Sequence, residues 1–108
     1  MGSRPETARY ILDCIDPDCG VTCRAMFGEY ALYANGKVIG LIADDRLFIK
    51  PTVAGRRFIG HCVEAPAYPG AKPSLLIAER LEDRDWLSEL IRLTESALPA
   101  PKTKKPKK

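Results

Sequence analysis

The chain has 108 residues, 45% of them apolar and 29% charged, which describes one soluble domain and excludes a collagen-like, mucin-like or wholly disordered chain. The net charge of +3 is unevenly spread: five lysines, Lys102, Lys104, Lys105, Lys107 and Lys108, lie in the last seven residues, and removing them from the 17 basic residues leaves 12 against 14 acidic ones, a body of net −2 without a global field for polyanions. No apolar run approaches the roughly 18 residues of a membrane span, and the start MGSRPETARY has no apolar signal core, so a cytoplasmic protein without a membrane segment is expected.

Ser3 to Ile15 reads as a helix. Ser3 and Glu6 have capping-box spacing, Pro5 falls in the first turn where its missing N–H costs nothing, and Ala8, Ile11, Leu12 and Ile15 share one face. Pro17, between Asp16 and Asp18 and followed by Gly20, ends it. Val21 to Lys50 reads as antiparallel sheet. Val21 to Phe27 is one strand and Tyr30 to Ala34 the next. Asn35–Gly36, the preferred type I′ pair, turns the chain into Lys37 to Ala43, and Asp44–Asp45 turns it again into Arg46 to Lys50. Thr52 to Cys62 is a second helix, with Phe58, Ile59 and Cys62 inward and Gly55 weakening it. Val63 to Ser74 is turn-rich and Leu75 to Ala78 a short strand. Asp83 caps a last helix, Arg84 to Leu98, with Leu87, Leu90, Ile91 and Leu98 on one stripe and Trp86 as a core anchor. The order predicts a two-layer α+β domain over residues 1–98, an antiparallel meander with helices packed on one face. A disordered lysine/proline tail, which has almost nothing apolar to bury, is expected over 99–108.

If both turns have two residues, the register follows. Tyr30 opposes Leu41, Leu32 opposes Ile39, Leu41 opposes Phe48, Tyr33 opposes Val38 and Ile42 opposes Leu47. One face then carries Ala31, Tyr33, Val38, Gly40, Ile42, Leu47 and Ile49 and packs on the helices. The other carries Tyr30, Leu32, Ile39, Leu41 and Phe48, with Lys37, Arg46 and Lys50 at its margins. Five large apolar side chains, each worth about 1.5–3 kcal/mol if buried, do not stay in water on a monomer. These five are the candidate interface, to be covered by the rest of the chain, by a second copy in a homodimer, or by a protein partner.

The tail lysines Lys102, Lys104, Lys105, Lys107 and Lys108 are the candidate polyanion contact. Their expected mode is weak, salt-sensitive and non-specific contact with nucleic acid. Cys14, Cys19, Cys23 and Cys62, with the single His61, form no paired zinc spacing, and no P-loop, GxGxxG or GxSxG occurs. No catalytic, cofactor-binding or metal residue is therefore assigned. The cysteines read as small core hydrophobes. The alternative, a small thiol- or metal-dependent enzyme, rests on these Cys and His residues alone.

The run Arg24–Tyr33 (RAMFGEYALY), the Asn35–Gly36–Lys37 hairpin, the stretch Gly40–Lys50 (GLIADDRLFIK) and the later Tyr68–Pro69–Gly70 resemble, in that order, the TfoX/Sxy N-terminal domain family. The likeness spans about Arg9 to Leu98. It implies a two-layer α+β domain without catalytic residues, here as a single-domain member lacking the family's C-terminal helical domain. The family's best-known members regulate natural competence with a transcription activator, so the resemblance implies a non-enzymatic regulatory or interaction module. Gly28 allows a sharp bend, with Met26 and Phe27 expected to fill core on either side of it.

Overall fold

In a computed structural model, which describes residues 3–26, 28–78 and 80–98, two tight turns organise the sheet. Asn35 and Gly36 (φ 53° and 77°) and Asp44 and Asp45 (φ 53° and 59°) all take positive φ, as type I′ turns require. They join β2 (Glu29–Ala34), β3 (Lys37–Ala43) and β4 (Arg46–Ile49). β1 (Val21–Met26) precedes them, and Gly28 (φ 82°) supplies the expected bend into β2. A segment expected to be turn-rich instead contributes β5 (Glu64–Pro66), paired with β6 (Pro73–Ile77). The result is one six-stranded antiparallel sheet in the order β1-β2-β3-β4-β6-β5.

Three helices, α1 (Pro5–Asp13), α2 (Val53–Ile59) and α3 (Arg84–Ala97), lie on one side of it, which is the expected two-layer α+β architecture. None of them is long and apolar enough to cross a membrane among the described residues. Asp83 caps α3 as expected, accepting the Trp86 N–H at 3.2 Å. Helix α2 is shorter than Thr52–Cys62. The Thr52 hydroxyl caps it by accepting the Gly55 N–H at 2.9 Å, and Gly60 at φ 84° stops it, which leaves Cys62 outside. The Ser3/Glu6 capping box does not form. The Ser3 hydroxyl donates to the Glu29 carboxylate at 2.6 Å and accepts the Asp45 N–H at 3.0 Å, binding the N-terminus to the sheet turns.

The register departs from expectation at one place, and the departure re-sorts the faces. Tyr33↔Val38, Ile42↔Leu47 and Leu41↔Phe48 pair as expected, but Leu32 lies opposite Gly40, Ala31 opposite Leu41 and Tyr30 opposite Ile42. One extra residue, Ile39, is accommodated in β3 as a bulge. Gly40 follows it directly, and any Cβ there would collide with the Phe48 carbonyl oxygen and crowd Ile49 Cδ1 at 3.1 Å on the β4 side. Tyr30, Leu32 and Ile39 therefore turn toward the helices, not away from them. Leu32 and Ile39 are fully buried with Ile42, Leu47, Ile49 and Leu75 against Ile11, Leu87, Leu90 and Ile91. Each such side chain contributes about 1.5–3 kcal/mol of burial. Conversely Tyr33 and Val38, expected under the helices, share the opposite face with Leu41 and Phe48. Met26 does not fill core: opposite Glu29 at the end of β1, it is 40% exposed. Phe27 and the 99–108 tail, with its five candidate lysines, lie outside the described residues.

Candidate interaction face

The sheet face without helices is apolar at its centre. Ala31, Ala43 and Phe48 are buried there although they belong to no helix-packed core, with Phe48 only 3% exposed. Tyr33, Val38, Leu41 and Leu76 are half-buried around them. Part of the cover comes from the chain itself. The segment from Ala67 to Lys72 folds back so that Tyr68, Ala71 and Lys72 share a hollow of about 420 Å³ with Val38, Leu41, Phe48 and Lys50. A tight turn shapes that segment: the Ala71 N–H donates to the Tyr68 carbonyl at 3.0 Å, and Gly70 takes φ 87° behind Pro69. This is the type II arrangement, with proline and glycine at the positions that need them. It leaves Tyr68 58% exposed at the rim.

Charge on this face is one-sided. Arg24, on β1, places its guanidinium 5.8 Å from the centre of the Tyr33 ring, a favourable cation–π contact. Lys50 and Lys72 stand exposed beside the hollow, and among the described residues neither they nor Arg24 form an ion pair. Arg46 is exposed on the same face and pairs with Asp44 at 3.6 Å. The other described acids lie away from the hollow. Glu6, Asp13, Asp85, Glu89 and Glu95 belong to α1 and α3, and Glu64 turns to Arg56 of α2 at 3.1 Å. Glu29, at the far end of β2, is held by Ser3 and by the Asp44 N–H. A body of net −2 thus carries a local basic field on one face.

Of the candidate interface residues, the structure keeps Leu41 and Phe48 on the helix-free face and takes Tyr30, Leu32 and Ile39 into the helix-packed layer. It adds Arg24, Tyr33, Val38, Tyr68 and Lys72, which the sequence reading did not assign. The signal for the exchange was present: an isolated glycine within a strand pattern marks a bulge or a close backbone approach.

The cysteines are dispersed. Cys14 is buried under α1, and burial pushes its thiol up; its neighbour Tyr10, whose hydroxyl donates to Glu82 at 3.1 Å, is pushed up to about 12 by that bond. Burial also raises the Cys19 thiol, which points to the Ser88 carbonyl at 3.8 Å. Cys23 lies on β1 opposite Leu32, and the Cys62 sulfur faces the Arg56 carbonyl at 3.7 Å. All four are free thiols. Among the described residues no three His, Cys, Asp or Glu side chains gather closely enough to hold a metal ion. His61 and Cys62 do border a second hollow of about 490 Å³, next to Trp86 and Arg80. There Trp86 stacks on Phe58 at 5.7 Å and on the Arg80 guanidinium at 4.9 Å.

Two comparisons with known proteins bear on this architecture. Residues 15–98 match the family described as the TfoX N-terminal domain. The chain is also 39% identical, over 107 residues, to an "uncharacterized 12.7 kDa protein in trpE 5′ region" of Spirochaeta aurantia; the match covers 99% of this chain and 93% of that protein.

Proposed function

The chain belongs to the TfoX N-terminal domain family, and from that membership and its sheet geometry we propose that it is a non-enzymatic interaction module that docks through the helix-free sheet face. The observation that carries this reading is the combination on one face of half-buried Tyr33, Val38 and Leu41, exposed Tyr68, and Arg24, Lys50 and Lys72, which form no ion pair among the described residues. Apolar surface ringed by unpaired charge is the make-up of a contact surface. The raised thiols of Cys14 and Cys19 argue against nucleophilic chemistry at those positions, since the thiolate is the reactive form. We extend the proposal to a cytoplasmic regulatory role in transcription or competence, the role that the family's best-known members suggest.

A photo-crosslinking amino acid placed in cells at Tyr68, on the proposed face, and at Tyr10, on the helix layer, tests the reading. Both tyrosines are exposed, at 58% and 44%. Adducts at position 68 and none at position 10 are expected, whatever the class of the adduct. Equal yields at both, or none at 68, would overturn the proposal.

A further inference from the structure

We propose that the occupant of this face is single-stranded nucleic acid. This rests on the docking reading above and names its partner. Three observations converge on it.

The first is charge complementarity. Arg24, Lys50 and Lys72 are exposed and unpaired among the described residues, and no described acid lines the hollow. A second copy fits badly. In a two-fold dimer this patch would meet itself, setting the three cations of one copy against the same three of the other.

The second is aromatic. Tyr68 is presented at the rim by a rigid Pro–Gly turn, and Tyr33 lies in the sheet with Arg24 beside its ring. Between them the hollow floored by Val38, Leu41 and Phe48 offers an apolar recess. Aromatic rings interleaved with cations on an open sheet suit unstacked bases and their phosphates. No described helix or ribbon projects from this face to enter a duplex groove, so double-stranded DNA is a poor match.

The third is where the chain goes next. The Leu98 carbonyl accepts Lys37 Nζ at 3.0 Å, at the Asn35–Gly36 end of the sheet. At that same end β4 runs out into Lys50, whose N–H bonds the Ile39 carbonyl, and Lys72 leads into β6. Ten residues follow Leu98, five of them lysine, and ten residues reach at most about 35 Å. The described chain therefore ends at Leu98, at the same end of the sheet as Lys50 and Lys72.

The test is fluorescence anisotropy with labelled oligo-dT and oligo-U of about 20 nucleotides, using the full chain at several salt concentrations. Saturable binding is expected, weakening with salt by a log–log slope of roughly −0.7 per neutralised phosphate. A chain ending at Leu98 should keep the part of that slope belonging to the face, roughly −2. Arg24→Glu with Lys50→Glu should weaken binding at least tenfold, and Tyr68→Ala roughly tenfold through lost stacking. All three positions are exposed, so an unchanged urea midpoint should accompany these losses.

A matched duplex or polyaspartate binding as tightly as the single strands would overturn the inference. So would binding that survives the face variants and vanishes with the tail. Light scattering that shows a dimer closing this face, with no oligonucleotide bound, would overturn the nucleic-acid inference and leave the docking reading intact. Absence of crosslinks at position 68 would remove both.

Discussion

The carboxylate of Asp45 accepts the backbone N–H of Arg4 at 2.8 Å, across 41 residues of chain. It also takes the Thr7 hydroxyl at 2.8 Å. A sheet turn thus supplies the cap that α1 lacks from its own N-cap residue. The Arg4 N–H, followed by the Thr7 hydroxyl, holds the Asp45 carboxyl below its ordinary value. A carboxyl depressed in the folded state contributes stability above its unfolded pKa and loses it as pH falls through the folded one. The urea midpoint of the native protein should therefore fall between the ordinary aspartate range and the more acidic folded value. Asp45→Asn keeps both acceptor bonds and the left-handed backbone but should flatten that pH dependence. Asp45→Ala should lower the midpoint at neutral pH as well. Identical pH profiles for the native protein and Asp45→Asn would contradict this role.

At Gly40, β3 runs close against the β4 backbone. A methyl group there meets the Phe48 carbonyl, and backbone cannot yield as a flexible side-chain end can. Gly40→Ala should cost about 1–3 kcal/mol, the range for overpacking a tight site, read as a lower urea midpoint. The same substitution should disturb the bulge, so amide exchange should quicken at Leu32 and Ile39. A neutral Gly40→Ala would show that β4 can give way at this contact.

What the sequence could and could not reveal follows from the range of each cause. The Asn35–Gly36 and Asp44–Asp45 turns, the Asp83 cap and the α3 stripe are written in adjacent residues, and local chemistry decides them. Gly40 flags an irregularity within β3, but neither the position of the Ile39 bulge nor its effect on the faces can be read from β3 residues alone, because both depend on the strands beside it. Because side chains alternate with a period of two, that single extra residue moved Tyr30, Leu32 and Ile39 to the helix layer and brought Tyr33 and Val38 out. Strand β5 was hidden for a similar reason: three residues, one of them proline, carry no period and pair only because β6 lies beside them. The Asp45 cap joins residues too distant for any capping pattern to find.

Lys37 binds the end of α3 to the β2–β3 turn. Its Nζ donates to the Glu95 and Leu98 carbonyls at 2.8 and 3.0 Å and pairs with the Glu95 carboxylate at 3.0 Å. A mostly covered ammonium at a helix C-terminus satisfies carbonyls the helix leaves open. Lys37→Met should cost about 1–2 kcal/mol by loss of these bonds. Lys37, then Asn35, lowers the Glu95 carboxyl, so that stabilisation is present above the ordinary glutamate range and fades as pH falls through the depressed value. The stability difference between the native protein and Lys37→Met should shrink in acid. A constant difference would argue against the pairing.

Phe58 joins α2 to α3 through its stack on Trp86, with ring centres 5.7 Å apart. Phe58→Leu keeps apolar bulk and removes the ring pair, so the expected loss is about 0.5–1.5 kcal/mol. Trp86 is the chain's single tryptophan, so its emission should shift with that substitution alone. Leu41→Ala, on the far side of the sheet, should leave the emission unchanged. A matching shift from both would mean that the reporter senses general loosening.

Cys14 and Cys19 give the sharpest check on the reading that no thiol chemistry operates at these positions. Burial is the leading cause that raises both thiols, and a raised thiol presents little thiolate near neutral pH. In the folded protein both should react with an aromatic disulfide reagent at least tenfold more slowly than free cysteine at pH 8, and all four cysteines should react quickly in concentrated urea. Peptide mapping after a short pulse assigns the rates to positions. A fast Cys14 or Cys19 in the folded chain would mean that a cation or base near that thiol outweighs its burial. The Arg84 beside Cys14 and the Arg92 beside Cys19 would then be the first residues to replace, since each already acts to lower its thiol.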